Sequence, residues 1–78
     1  MSTASSERVH PTAEIDRSAR IDPTATIGEG VRIGPDVIVG PRCVIGARTV
    51  LRPRAIIVQD TTLGADNEVH PYAVLGGD

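Results

Sequence analysis

An aliphatic residue recurs at every sixth position from residue 9 to residue 75, without interruption. The series is Val9, Ile15, Ile21, Ile27, Ile33, Val39, Ile45, Leu51, Ile57, Leu63, Val69 and Leu75. Val, Ile and Leu make up 20 of the 78 residues, so twelve consecutive matches are on the order of a one-in-a-million event. Since a six-residue unit cannot bury its own aliphatic side chain, the repeat predicts units that stack on their neighbours.

The other hexad positions are also restricted. Counted from the aliphatic residue, the fifth position holds only small or short side chains, glycine recurs at the second, and all prolines stand at the third. The alternation in Ala13-Glu14-Ile15 predicts a strand of three to five residues with one buried face. Gly34-Pro35 and similar pairs predict the turn that follows, because glycine tolerates positive φ and proline fixes its own φ.

Parallel strands that wind around a solenoid, with hydrogen bonds between coils, satisfy this pattern. A helix is disfavoured by the recurring prolines and by the wrong apolar period, and collagen by the glycine spacing. Disorder is the alternative on composition, since there are 8 Gly and 6 Pro but only one aromatic residue. Disordered chains lack such regular phasing, so the sequence predicts an all-β parallel solenoid.

Length and charge restrict the remaining possibilities. Residues 1–8 are polar and predict an N-terminal tail without a secretory or transmembrane segment, which favours a cytoplasmic protein. The formal charge of −2 does not show the excess of basic residues that is typical of nucleic-acid-binding proteins. The lone Cys43 stands at an inward small position, so we expect it to be buried and without a disulfide in this chain.

The repeat array covers residues 9–78, and its twelfth hexad has only four residues. Solenoids normally need a capping element at each end. We therefore expect the solenoid to be incomplete at its C-terminal end and the chain to be the amino-terminal fragment of a longer protein.

Three stretches resemble the hexapeptide-repeat acyltransferases, in particular the UDP-N-acetylglucosamine O-acyltransferases of lipid A biosynthesis. They are HPTA from His10, IGEGVRIGPDVIVGP over 27–41, and DNEVHPYAVLG over 66–76. The resemblance implies a left-handed parallel β-helix with three hexads per coil, about four coils here, and a homotrimer when full length. It also implies transfer of a hydroxyacyl group from acyl carrier protein to the 3-hydroxyl of UDP-N-acetylglucosamine.

The residues that perform this transfer in the family belong to segments that this sequence lacks. No catalytic, substrate-binding or metal-binding residue therefore carries over, no cofactor is implied, and we expect the 78-residue chain to be inactive alone. Two alternatives stay open: another hexapeptide acyltransferase or acetyltransferase, and a non-catalytic β-helical scaffold.

With three hexads per coil, residues 18 apart should stack on one face. Opposite charges then fall in register, and an arginine falls beside the single tyrosine, where a cation–π contact is possible. The predicted pairs are Arg42 with Asp60, Arg48 with Asp66, Glu14 with Arg32, and Arg54 with Tyr72.

One outward column is mostly apolar: Arg20, Ile38, Ile56 and Val74, with Val58 two residues beyond Ile56. The corresponding columns on the other two faces are more polar. An apolar stripe on an outer face predicts a subunit interface made by Ile38, Ile56, Val58 and Val74. The alternative is scattered surface aliphatics.

Other candidate site residues have structural interpretations. His10 and His70 each precede a proline at a corner and fall on different faces, which disfavours a zinc site like that of the γ-class carbonic anhydrases. Arg42, Arg48, Arg52 and Arg54 form a basic cluster that could steer acyl carrier protein. Charge ladders with the acids of neighbouring coils are the favoured interpretation.

Overall fold

The structure is a computed structural model that describes residues 9–76. The described residues form eleven strands of two residues each. They are β1 (Glu14–Ile15), β2 (Arg20–Ile21), β3 (Thr26–Ile27), β4 (Arg32–Ile33), β5 (Ile38–Val39), β6 (Val44–Ile45), β7 (Val50–Leu51), β8 (Ile56–Ile57), β9 (Thr62–Leu63), β10 (Glu68–Val69) and β11 (Val74–Leu75). The predicted tail at residues 1–8 lies outside the described residues.

The strands form three parallel sheets, each of which is one face of the solenoid. The charged face contains β1, β4, β7 and β10, the apolar face β2, β5, β8 and β11, and the threonine face β3, β6 and β9. A parallel bridge from Val9 to Ile27 extends the threonine face by one more rung. Each strand pairs with the strand three hexads later, as in Ile15 with Ile33. The all-β parallel solenoid of three hexads per coil is therefore confirmed, and its form is consistent with a left-handed β-helix.

The aliphatic residues of the hexad series line the interior. Those of the middle coils are buried, as is Val69 in the last coil. The others near the two ends are half-buried and pack against the same core: Val9, Ile15, Ile21, Leu63 and Leu75. The small residues at the fifth hexad position fill the space between them, and Cys43 is fully buried as predicted. Buried Thr49 satisfies its hydroxyl by donating to the Gly64 carbonyl at 2.7 Å. The predicted core is confirmed.

The turns differ from the prediction in where the positive φ falls. Gly34 and Gly40 do not have positive φ; it occurs two residues later, on Asp36 and Arg42, both with a φ of 59°. Since proline at the first central position and positive φ at the second define a type II turn, these corners are type II turns. Glycine supplies close approach instead, because a Cβ on Gly40 would lie 2.9 Å from the backbone nitrogen of Gln59 in the coil above.

The strands are also shorter than the predicted three to five residues. Each turn extends from the second to the fifth hexad residue, as from Arg52 to Ala55, whose backbone N–H donates to the Arg52 carbonyl at 3.2 Å. Only two residues per hexad then remain for the strand.

Candidate functional site

The apolar face brings together the residues predicted to form an interface. Ile38 pairs with Ile56, and Ile56 with Val74, so that the three side chains form one outward column. Ile38 is 42% exposed and Val74 61% exposed, while Ile56 and Val58 are half-buried. Val58 follows β8 at the edge of the face, where its N–H donates to the Leu75 carbonyl at 2.8 Å.

The other two faces are more polar at the equivalent positions. The charged face presents Glu14, Arg32, Val50 and Glu68, and the threonine face presents Thr26, Val44 and Thr62. Val44 is 40% exposed, but it stands between two threonines, so it does not extend an apolar stripe. The arrangement shows that the aliphatic surface residues are concentrated on one face. Their role as an interface stays a prediction.

The arginines of the basic cluster face acids of adjacent coils. Arg42 donates to Asp60 through Nε at 2.6 Å and Nη2 at 3.1 Å. Arg48 donates to Asp66 in the same two-bond form, at 2.8 and 3.1 Å. These bonds hold the pKa of the Asp60 and Asp66 carboxyls below the usual value of 3.8. The predicted ladders are confirmed at both corners.

The other two arginines are also paired. Arg52 Nε donates to Glu68 Oε2 at 2.6 Å. Arg54 lies 3.8 Å from the Asp36 carboxylate and 6.0 Å from the centre of the Tyr72 ring, which confirms the predicted cation–π neighbour. Because each arginine already has an acid beside it, the cluster is a set of charge ladders, and the field it presents to a partner is reduced.

The structure places His10 and His70 on turns of different corners. His10 stands in the first turn and contacts Thr12, whereas His70 stands in the column of Arg52 and Gly34. Among residues 9–76, no group of three or more His, Cys, Asp or Glu side chains is placed to hold a metal ion.

A groove of 450 Å³ on the charged face was not predicted. Its lining includes Asp16, Gly34 and Arg52, which the 18-residue stacking places one above another at a corner. The same stacking rule was the sequence signal that could have found it. The polar atoms around it are engaged by neighbours: Asp16 accepts from Ser18, and Arg52 donates to Glu68.

The repeat, the three parallel sheets and the inward aliphatic residues define a hexapeptide-repeat-like β-helical domain. The family model of the GMPPB C-terminal domain matches residues 4–78, and the chain belongs to this family. The match gives no support to the specific UDP-N-acetylglucosamine O-acyltransferase identity that the resemblance implied. No curated protein matches the chain. No helix among residues 9–76 has the length and apolarity that a membrane crossing requires.

Proposed function

We propose that this chain is the β-helical assembly domain of a nucleotidyltransferase-related enzyme and that it associates with copies of itself through the apolar face. The observation that carries the proposal is the column of Ile38, Ile56 and Val74, continued by Val58 at the edge. Aliphatic side chains exposed in one contiguous stripe gain free energy when a partner removes them from water. Membership of the GMPPB C-terminal domain family supports the enzyme-related assignment.

The residues around the apolar face favour a second copy as the occupant. The N-terminal end of the face has two charged residues, Arg20 and Asp22. Each flanking corner has an ion pair: Arg54–Asp36 on one side and Arg42–Asp60 on the other. A rim that carries charges of both signs reduces the electrostatic repulsion between two copies. The assembly we propose is the homotrimer implied by the hexapeptide resemblance, with the apolar faces of the three copies around one threefold axis.

The size of the face sets the strength of association. Four strands at about 4.8 Å spacing make a face about 19 Å tall. With a comparable width, it offers about 400 Å² per contact, roughly half of what each partner buries in a standard stable interface. We therefore expect a weak, concentration-dependent assembly of this chain.

Substitution on matched faces tests the proposal. Val74→Glu and Ile38→Glu should shift the sedimentation coefficient to that of the monomer, because each places a charge inside the contact. Val44→Glu introduces the same charge at a 40% exposed aliphatic position of the threonine face, and it should leave the assembly intact. Equal effects of Val44→Glu and Ile38→Glu, or a parent chain that is monomeric at millimolar concentration, would contradict the proposal.

Acyl transfer is a second candidate, favoured by the HPTA, 27–41 and 66–76 stretches and by the three-hexad coil that they adopt. In this function the full-length protein would use acyl carrier protein and UDP-N-acetylglucosamine as partners. The test compares two activities of the full-length protein: hydroxyacyl transfer to the 3-hydroxyl of UDP-N-acetylglucosamine, and nucleotidyl transfer. Nucleotidyl transfer alone would exclude the acyltransferase candidate, and hydroxyacyl transfer alone would establish it.

A further inference from the structure

The three turns of the first coil differ from those above them. From Gly30 onward, the fourth hexad residue of every turn has positive φ. The first coil has Thr12, Ser18 and Thr24 at this position, and none of them has positive φ. These turns keep the bond from the N–H of the following alanine to the carbonyl three residues earlier, as from Ala19 to Asp16 at 3.0 Å. The same bond also occurs in the upper turn from Arg52 to Ala55, so the difference lies in φ. The first coil therefore uses another type of turn, in which the central peptide has a different orientation.

In the upper coils, the central peptides of the turns are hydrogen-bonded from coil to coil. The N–H of Arg54 donates to the Pro35 carbonyl of the coil below at 3.0 Å, and that of Asp60 donates to Pro41 at 2.9 Å. Each such turn thus presents an N–H downward, toward the N-terminal end, and a carbonyl upward. A turn of this kind in the lowest coil would leave its N–H without a partner.

Side chains replace this arrangement in the first coil. The N–H of Asp36 donates to the Ser18 hydroxyl and that of Arg42 donates to the Thr24 hydroxyl, both at 2.9 Å. The first coil's own central N–H groups bond within their turns, from Ser18 to Asp16 Oδ2 at 2.9 Å and from Thr24 to Asp22 Oδ1 at 2.9 Å.

The third corner repeats the pattern with a histidine. Thr12 accepts from the N–H of Gly30 at 2.9 Å, and its own N–H donates to His10 Nδ1 at 3.2 Å. At each corner of the first coil, side chains of the turn therefore accept hydrogen bonds from two backbone N–H groups. One belongs to the coil above and the other to the turn itself.

The C-terminal end has no such closure at two of its corners. The Ala65 and Pro71 carbonyls occupy the acceptor position that Ala47 and Pro53 fill one coil below. Within residues 9–76, no backbone N–H donates to either carbonyl. Side chains therefore satisfy the corner amides of the first coil. The lower edges of β1 and β2 still have ladder carbonyls, such as those of Ala13 and Ala19, to which no backbone N–H within residues 9–76 donates.

We propose that the corners of the first coil disfavour the stacking of another copy beneath it, because they offer no free turn N–H groups to the carbonyls of that copy. Unpaired backbone donors at a sheet edge recruit further strands, and natural proteins block such edges. Two-residue strands leave few ladder groups, so the three corner amides are a large share of the edge. Their removal by side chains is the blocking device.

Reopening the first coil tests this proposal. The substitutions Asp16→Gly, Arg17→Pro, Ser18→Gly, Asp22→Gly and Thr24→Gly together introduce Pro-Gly corners, which favour the type II turn of the upper coils. In this variant the N–H groups of Asp36 and Arg42 would donate to backbone carbonyls of the first coil instead of hydroxyls. The central N–H groups of the two reopened turns would then point out of the N-terminal end without a partner. These donors match the open carbonyls of a second copy, so the variant should form head-to-tail oligomers whose mass and frictional ratio rise with concentration.

The experiment is made in the Ile38→Glu, Val74→Glu background, so that axial stacking is separated from association through the apolar face. Arg54→Gly is the control, because it places glycine in a turn that already has positive φ and leaves the first coil unchanged. This control should gain no mass. A reopened variant that gains no mass, or a parent that already stacks end to end, would overturn the proposal.

Hydrogen exchange gives a second measurement that does not depend on the reopened variant's folding. Ser18→Ala removes the acceptor of the Asp36 N–H, so exchange at that amide should accelerate about two- to tenfold, as loss of one hydrogen bond predicts. The Tyr72 amide, which donates to Pro53 in the same column, should keep its rate. An unchanged Asp36 amide would contradict the role assigned to the Ser18 hydroxyl.

Discussion

At the scale of single residues, the corners place charged side chains on a backbone conformation that favours glycine. Asp36, Arg42 and Asp60 have φ values of 59°, 59° and 60°. The left-handed region costs an L-residue about 1–2 kcal/mol relative to glycine. The charge ladders and the coil-to-coil hydrogen bonds of the turns hold these residues there.

Asp36 and Ser18 offer a matched test of this backbone strain, because they occupy the same corner one coil apart. Asp36→Gly should be more stable than Asp36→Ala by about 1 kcal/mol, since glycine adopts positive φ without steric cost. Ser18 does not have positive φ, so Ser18→Gly should be less stable than Ser18→Ala by about 0.5–1 kcal/mol. Urea unfolding midpoints measure both differences. The same sign at both positions would contradict this interpretation.

The lowered pKa of Asp60 gives a pH prediction at the same scale. Hydrogen bonds from Arg42 are its main cause, so the folded state holds the proton less tightly than the unfolded state. Stability from this pair is present above the usual pKa of 3.8 and is lost as the pH falls through the lower folded value. Arg42→Ala should raise the pKa of Asp60 toward 3.8 in an NMR titration of the carboxyl group. Arg48→Ala, which removes the partner of Asp66 instead, should leave Asp60 unchanged.

At the scale of the elements, the coils pack so closely at one corner that only glycine fits. A Cβ on Gly46 would lie 2.5 Å from the carbonyl carbon of Gly64 in the coil above. Backbone atoms cannot move aside without shifting the whole turn. A Cβ on Gly64 would instead approach the Asn67 side chain, with Nδ2 at 3.6 Å, which is an ordinary contact distance.

These two glycines predict opposite outcomes for one substitution. Gly46→Ala should lower the free energy of unfolding by about 1–3 kcal/mol, because it overpacks the space between two turns. Gly64→Ala should change it by much less, since its Cβ would meet the end of the Asn67 side chain at an ordinary contact distance. Chemical denaturation of the two variants compares them directly, and a Gly46→Ala chain as stable as the parent would show that the coils can separate at this corner.

The sequence predicted those features that side-chain chemistry determines. The inward aliphatic residues follow from which residue types recur at which hexad position. The 18-residue stacking was implied by the resemblance to the hexapeptide-repeat acyltransferases, and the Arg42–Asp60 ladder follows once that stacking is given. The positive φ at Asp36 could not be predicted in this way, because aspartate there is held by the turn and by the coils around it. The different turns of the first coil were missed for a related reason. Only the Asp-x-Ser/Thr pattern at the second to fourth hexad positions, as in Asp16-Arg17-Ser18 and Asp22-Pro23-Thr24, could have indicated them, because no hexad of the upper coils repeats it there.

At the scale of the whole molecule, the solenoid is quasi-one-dimensional, so each coil is stabilised by its immediate neighbours. The middle coils have neighbours on both sides, and their inward residues Val39, Ile45 and Ile57 are at most 2% exposed. Leu63 and Leu75 belong to the last coil and are half-buried. Local stability should therefore fall from the middle coils toward the C-terminal end.

Alanine substitutions of one core residue in a middle coil and one in the last coil measure this gradient of local stability. Ile57→Ala removes a fully buried side chain between two coils and should cost about 2–5 kcal/mol of unfolding free energy. Leu75→Ala should cost less, because its side chain is already partly in water and loses fewer contacts. Amide exchange should also be faster in β11 than in β5, and Leu75→Ala should accelerate exchange in the last coil while leaving β5 protected. Equal protection of both strands, or equal cost of the two truncations, would show that the solenoid unfolds as one indivisible unit.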